Sequence, residues 1–472
     1  MSLLISKTNT FIVNLFIFIS TLFTFIFYKH NFPHNTVANI LPGIAPHLNL
    51  GVPYLDYWDV YPPGIYLFYF IFFIFGRDTF ISYQLLHVGL LLIVLYLFFS
   101  FSKLFKISII YFLIACYYFL SPLYVYYLLP NELIGLAFSF SGIYILTMAN
   151  KKYNYFFGNF LLLFAVFIKE LYFLPYLITY LIILTSNKKV KYESMLGQFV
   201  CLLIIFSYSV YFNFYNEMVS NYFDKIKLYK NNIIYLFIFL LFVLIIFSSL
   251  TLFKKSILFE INKFIEVKKY LLIYSILILI SYRLINFDDG GHWDIAKSIP
   301  FFICLFFIIE KLNNNKIFNF IFVIILSTYF LLGQHVATSY LNNLKNLSNL
   351  SLQNPKEETK LELVHSNYQH LYGWDSPLFY YKYKIKPPNK YWILHPQILN
   401  LKQIELAKSF FLEQPPVYLE ICSNFTNCDT GFSVEDFEKN YLKIEQIIKS
   451  CFSVYDINIY KLNELSCLNN FK

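Results

Sequence analysis

The sequence predicts a polytopic α-helical membrane protein that ends in a small polar α/β domain. Three observations carry this expectation. The 472 residues are 58% hydrophobic and only 14% charged, whereas soluble domains hold about 25% charged residues. The apolar residues gather in many runs that approach the roughly 20 residues needed to cross a bilayer, with short lysine-rich loops between them. From Asn342 onward that pattern stops, and no later run is long enough to span.

Taken in order, Met1 to Lys7 is a short segment with a basic end, and Phe11–Phe27 is the first span. It is too long for a signal peptide and lacks a small-residue cleavage site. A polar loop, residues 29–64, follows. The next apolar runs are Ile65–Phe75, Phe80–Phe101, Ile109–Leu120, Leu133–Met148, Phe156–Ile168, Leu171–Leu184, Phe199–Phe214, Ile233–Phe253, Tyr270–Ile285, Ile299–Ile309 and Ile317–Leu332. Together they predict about 11–13 spans within residues 1–340.

Lysine-rich loops belong on the cytoplasmic side. Lys151-Lys152, Lys188 to Lys191, Lys254 to Lys269 and Lys311 to Lys316 mark that side, and alternation from them puts Lys103 to Lys106 there too. Alternation then places Ser121–Glu132, Tyr215–Asn232, Asp288–Lys297 and the tail outside. The first loop depends on Ile65–Phe75. As a full span, that run puts the loop inside; as a re-entrant or interfacial helix, it puts the loop outside. Its shortness favours the second arrangement.

The tail, residues 341–472, reads as alternating strands and helices. Tyr391–Leu394 and Val417–Ile421 are expected to be extended, and Leu401–Glu413 helical. Ser433 caps a helix through Ser450, with Asp436 favouring its dipole. Val454–Leu462 is expected as a strand. The whole reads as an extracytoplasmic α/β domain of ordinary size.

Charge and cysteine usage exclude other classes. The formal charge of +9 comes from lysines placed as the positive-inside rule expects, so no nucleic-acid partner is predicted. Of the seven cysteines, Cys116, Cys201 and Cys304 lie in apolar runs and read as packing residues. Cys422, Cys428, Cys451 and Cys467 lie in the tail, where disulfides are open to them if it is extracytoplasmic. None has zinc-site spacing.

A polar stretch set between apolar runs is Gly51-Val-Pro-Tyr-Leu-Asp56-Tyr-Trp-Asp59-Val-Tyr-Pro62-Pro63-Gly64. The proline pair suits a helix start, so Asp56 and Asp59 lie at its mouth. Carboxylates beside a bilayer are costly and mark functional candidates. They serve as base or metal ligand, or as caps of the turn. A second dense stretch is Phe287-Asp288-Asp289-Gly290-Gly291-His292-Trp293-Asp294, with Pro300 beyond it. Only Arg77 and Arg283 are arginines among the 37 basic residues. The planar guanidinium of Arg283, just before Asp288, suits bidentate phosphate contact; a buried ion pair is the alternative. Arg77 reads equally as an interfacial anchor. Lys169-Glu170 interrupts two apolar runs, either as a self-paired turn or as a lining of a polar site. Glu132, in Leu-Pro-Asn-Glu, starts a span.

Gly-x-Pro-Tyr-x-Asp followed by Pro-Pro-Gly resembles the first extracytoplasmic loop of polyprenyl-phosphate-sugar-dependent glycosyltransferases of the type-C fold (GT-C). That group includes the protein O-mannosyltransferases, aminoarabinose transferases and rhizobial galacturonosyltransferases. Glu132 is similar to the family's second acidic position, the His292 stretch to its late loop, and Lys169 to a lysine after an apolar run. Tyr380-Tyr381-Lys382-Tyr383 with Pro387-Pro388 resembles its linker into the soluble domain.

The resemblance implies a membrane enzyme of the cytoplasmic membrane. It would move a sugar from a polyprenyl-phosphate donor to a lipid, glycan or protein acceptor on the outer face, by inverting displacement. It implies Asp56, Asp59 and Glu132 as catalytic, and Arg283, His292 and Lys169 as donor-phosphate contacts. Asp288 and Asp289 are further loop candidates, and with His292 they have the chemistry for a divalent metal. No cofactor is certain. The chain departs from the family ahead of the motif, where the relatives carry an Asp: it has Asn35, Thr36, Val37, Ala38 and Asn39, and no carboxylate from Lys29 to Leu55. Asp56 or Asp59 takes over as base, or His34 or His47 does, or the enzyme is altered or inactive. The rival class is a lipid-linked-sugar transporter or flippase, or a degenerate lipid-binding relative. A transporter is expected to hold charges mid-span; here they gather in loops.

Overall fold

In the computed structural model the described residues are 15, 18, 19, 22, 40–57, 61–76, 80–105, 130–147, 152–169, 172, 173, 176, 177, 179, 180, 188–220, 368–371, 386, 387, 418–421, 452–456 and 459–462. Five helices and four strands have defined bounds among them. The helices are α1 (Pro63–Phe75), α2 (Phe80–Phe105), α3 (Pro130–Thr147), α4 (Lys152–Ile168) and α5 (Lys188–Tyr211).

Proline starts two of these helices. Pro63 opens α1 after Pro62 in an extended conformation, and Pro130 is the first residue of α3. A missing N–H costs nothing in a first turn. α5 begins at Lys188, well before the apolar run expected from Phe199. Lysine, glutamate and serine are compatible with helix, so the backbone continues past the end of the apolar stretch. Val190–Tyr211 is the one described stretch long and apolar enough to cross a membrane. Pro63–Phe75, Ile81–Leu97, Leu133–Leu146 and Tyr153–Ile168 are shorter apolar stretches.

Small residues set how closely the helices approach. A Cβ on Gly142 would meet the Gly158 carbonyl at 2.8 Å, and one on Gly158 would meet Leu146 at 2.6 Å. Gly135 lies against Tyr172. Rising residue numbers on α3 thus meet falling numbers on α4, and the two run antiparallel. α5 instead runs parallel to α4: Gly197 abuts Phe156 near the α4 start, while Lys169, just after α4, and Phe214, just beyond α5, meet Tyr61 and Tyr54 of one loop. Their C-terminal ends meet the same loop, as described below.

α1 lies across one end of this bundle. Gly64 sits against the backbone of Phe167, at the end of α4. Phe70 packs on Tyr208 and Phe212, at the end of α5. A helix descending beside α4 and α5 would drop about 9 Å between residues 64 and 70, yet both positions meet last turns. α2 starts beside α1, where Tyr83 packs on Tyr69 and Phe72. It runs away from there, placing Lys103 at the far end. Lys152 and Lys188–Lys191 lie at that far end too. The bundle therefore has a loop end and a lysine end.

α5 inverts the pattern of a soluble amphipathic helix. It buries Ser194, Gln198, Cys201 and Ser209 and exposes Phe199, Leu202, Phe206 and Val210.

Four strands, β1 (Tyr368–Leu371), β2 (Tyr418–Ile421), β3 (Phe452–Asp456) and β4 (Ile459–Leu462), form a mixed sheet in the order β1-β2-β4-β3. β1 and β2 are parallel, while β4 pairs antiparallel with β2 and β3. β2 lies where Val417–Ile421 is expected to be extended. The single strand expected over Val454–Leu462 is instead a hairpin, in which Asp456 pairs with Ile459 and a register shift falls after Val454.

The expected spans Ile109–Leu120, Ile233–Phe253, Tyr270–Ile285, Ile299–Ile309 and Ile317–Leu332 lie outside the described residues, as does most of Phe11–Phe27. Tyr391–Leu394, Leu401–Glu413 and the helix capped by Ser433 also lie outside them.

Candidate functional site

The loop end is built on a short, conformationally demanding segment. Residues 40–44 are helical and continue into a 3-10 turn, Ala45–Leu48. Asn49 then adopts φ 57°, Gly51 φ 120° and Tyr54 φ 65°. Asn tolerates the left-handed region; a bulky aromatic there costs about 1–3 kcal/mol and persists only where its surroundings hold it.

Tyr54 is held on every side. Its N–H donates to the Tyr57 carbonyl at 2.9 Å, and its hydroxyl donates to the Tyr61 carbonyl at 2.5 Å. Its buried ring packs on Tyr66 and on Phe214, just beyond α5. Tyr57 is also buried, and its hydroxyl donates to the Leu50 carbonyl at 3.1 Å.

Asp56 closes the turn. The Val52 N–H donates to Asp56 Oδ2 at 2.7 Å, and the Asp56 N–H donates to the Val52 carbonyl at 3.0 Å. Oδ1 pairs with Lys386 Nζ at 2.6 Å, the Asp56 side chain being 26% and the Lys386 side chain 51% exposed. Both oxygens of Asp56 are therefore engaged. A Cβ on Gly51 would meet Asp56 Oδ2 at 2.6 Å, so the glycine serves both the positive φ and the carboxylate's approach.

Lys169 arrives from α4. Its N–H continues the helix to Ala165, and its ammonium lies 4.9 Å from the centroid of the Tyr61 ring. Tyr61 thus links two predicted site residues. Its carbonyl receives Tyr54 from the Asp56 turn, and its ring receives Lys169. The antiparallel α3–α4 pairing brings the first turn of α3, which contains Glu132, to this same end.

His47 is committed elsewhere. Its ring stacks on Phe70 and Phe73, with centroids 4.1 Å and 4.6 Å away. Nε2 lies 3.0 Å from the Phe70 carbonyl; a carbonyl only accepts, so Nε2 carries the proton.

Asp59, Arg283, His292, Asp288 and Asp289 lie outside the described residues, as do Arg77 and His34. Among the described residues no group of three His, Cys, Asp or Glu is placed to hold a metal ion. The set of Asp288, Asp289 and His292 is not among them.

Sequence reasoning missed Lys386. The available signal was its position directly before Pro387-Pro388, in the stretch already likened to a linker. It also missed the buried pair of Tyr69 and His87, 3.1 Å apart between α1 and α2. Helical spacing alone does not show that two polar groups will meet.

No family model matches the chain, and no curated protein and no solved structure matches it.

Proposed function

We propose that the chain is an integral-membrane glycosyltransferase of the GT-C fold, working at the outer face of the cytoplasmic membrane. The observation that carries this reading is the convergence at the loop end. The Asp56 turn, Lys169 and the first turn of α3 with Glu132 share one end of an apolar helix bundle. The lysine-rich helix ends lie at the other end, as a cytoplasmic face requires. The inverted α5, polar inside and apolar outside, suits lipid surroundings. The contact of Lys386 of the tail with the first loop supports a reading in which tail and loop share one face. That agrees with α1 as an interfacial helix rather than a span.

Under this reading the base takes a proton from the acceptor hydroxyl, whose oxygen attacks the anomeric carbon. The bond from that carbon to the phosphate oxygen breaks, and polyprenyl phosphate leaves with the electron pair, inverting the centre. Positioned acid–base groups and preorganised charge are what such a step demands. With both oxygens of Asp56 engaged, Asp59 takes the base role and Asp56 shapes the loop. Glu132 contacts the donor's sugar hydroxyls or a divalent metal. Lys169 leaves the Tyr61 face for the donor phosphate, joined by Arg283 and His292 from the late loop. Asp288 and Asp289 complete the polar surface. The acceptor is a lipid, a glycan or a protein, and the membrane lipid itself flanks the site.

One observation favours a second reading. The early Asp of the family is absent and Asp56 is already paired, which suits a relative that binds the lipid carrier without turnover.

The test is transfer from radiolabelled polyprenyl-phosphate sugars by purified protein in liposomes, with and without divalent metal. The enzyme reading expects loss of label from the carrier, abolished in Asp59→Asn and reduced in Lys169→Gln and Arg283→Ala. Carrier binding without loss of label, unchanged in every variant, overturns it and leaves the binding protein.

A further inference from the structure

Asp56 and Lys386 lie far apart in the sequence, and their ion pair joins the first loop to the tail. We infer that Lys386 is a positioning residue: it holds the first loop in its strained conformation and couples that loop to the tail. This goes beyond the transfer reading and does not depend on it.

Three features of the geometry support the inference. The loop places Asn49, Gly51 and Tyr54 at positive φ within a few residues, a shape that must be held from outside. Asp56 is the residue that closes it, and one of its two oxygens is used up on Val52. The remaining oxygen takes Lys386. The lysine itself is seated: Pro387, directly after it, is buried, and its ring fixes the backbone that presents the ammonium. A charge-assisted contact from a seated backbone loses less side-chain freedom than one between two mobile surface chains.

The consequence is a mechanical link. A shift of the tail linker is felt at Asp56, and through Val52 and Tyr54 at the Tyr61 carbonyl, beside Lys169. An anion that draws Lys386 away releases the same turn.

Hydrogen–deuterium exchange of the full chain in detergent micelles, with no donor added, tests this. The backbone amides of residues 50–57 are followed in wild type, Lys386→Met, Lys386→Arg, Asp56→Asn and the Asp56→Asn/Lys386→Met double variant. Asp56→Asn keeps an acceptor for the Val52 N–H but loses the charge. The expected result is roughly fivefold faster exchange in Lys386→Met, as for loss of one partly exposed pair. Lys386→Arg should stay near wild type, and the double variant should exchange no faster than Asp56→Asn alone. Peptides of α4 and α5 should be unchanged throughout. Unchanged exchange in Lys386→Met, additive effects in the double variant, or equal acceleration in α4 and α5 overturns the inference. Because no substrate is used, this outcome is separate from the presence or absence of sugar transfer.

Discussion

Between α4 and α5, toward the lysine end, Asn159, Ser194 and Gln198 bond one another in a buried cluster. At the loop end, Asp56, Lys386 and Lys169 carry charge and keep partial contact with solvent. The inner cluster is neutral. Asn159 Nδ2 donates to the Tyr155 carbonyl at 2.8 Å and to Ser194 Oγ at 3.1 Å, and Gln198 Nε2 donates to Asn159 Oδ1 at 3.4 Å. Amides and hydroxyls are self-complementary and satisfy each other without water, which lets two helices adhere where neither has an apolar advantage. Formal charges buried in the same way would carry a desolvation cost of several kcal/mol each. The molecule uses neutral polarity to hold helices and keeps charge at the two ends of the bundle, of which the loop end is, on our reading, where substrate arrives.

The two regions can be broken separately. The largest effect is expected at the glycines that bring the helices together, one for each end. A Cβ on Gly64 would fall 2.6 Å from the Phe167 carbonyl oxygen, and one on Gly197 would fall on the Phe156 carbonyl oxygen. Backbone cannot move aside as a flexible side chain does. Gly64→Val and Gly197→Val should each cost about 2–4 kcal/mol, seen as a lower midpoint of thermal unfolding in detergent. Gly64→Val should also accelerate exchange in residues 50–57, while Gly197→Val should leave that loop unchanged.

The next effect sharpens the neutral side of the comparison. Asn159→Leu removes three hydrogen bonds and leaves Gln198 and Ser194 to find other partners. A loss of about 1–2 kcal/mol is expected, measured by the same unfolding assay, with sugar transfer retained in the folded fraction. The smallest stability effect belongs to the charged side. Tyr61→Leu removes the ring beneath Lys169, a partly exposed contact worth about 0.5–1 kcal/mol. Its unfolding midpoint should hardly move. Transfer should fall in Tyr61→Leu because the ring no longer holds Lys169 beside the site, from where it passes to the donor phosphate. Equal losses of transfer and stability would erase the distinction.

Much of the bundle was legible in the sequence because apolar run length and proline placement act locally. Phe80, Pro130 and Ile168 bound helices that the runs already indicated. The start of α5 was not legible, since Lys188 to Lys191 serve equally as loop or first turn. At the site, Asp56 and Lys169 were visible as polar residues interrupting apolar runs, but their geometry was not. The left-handed Tyr54 depends on Phe214, which arrives from elsewhere in the chain, as well as on the nearby Tyr61. Lys386 becomes a partner of Asp56 only once the tail is folded back. The hairpin over β3 and β4 was read as one strand because alternation continues through a tight reversal.

Sidedness is the condition on which the whole account rests, since the loop end must face outward for Asp56, Lys169 and Glu132 to meet an extracytoplasmic acceptor. It is tested most directly by single cysteines in a background lacking the seven native ones. Leu55→Cys reports the loop end and Tyr192→Cys the lysine end; these positions are 37% and 65% exposed. Labelling intact cells with a membrane-impermeant maleimide should modify Cys at position 55 and spare position 192 until the membrane is opened. Labelling at 192 with protection at 55 would contradict the account, and labelling of both in intact cells would contradict it equally.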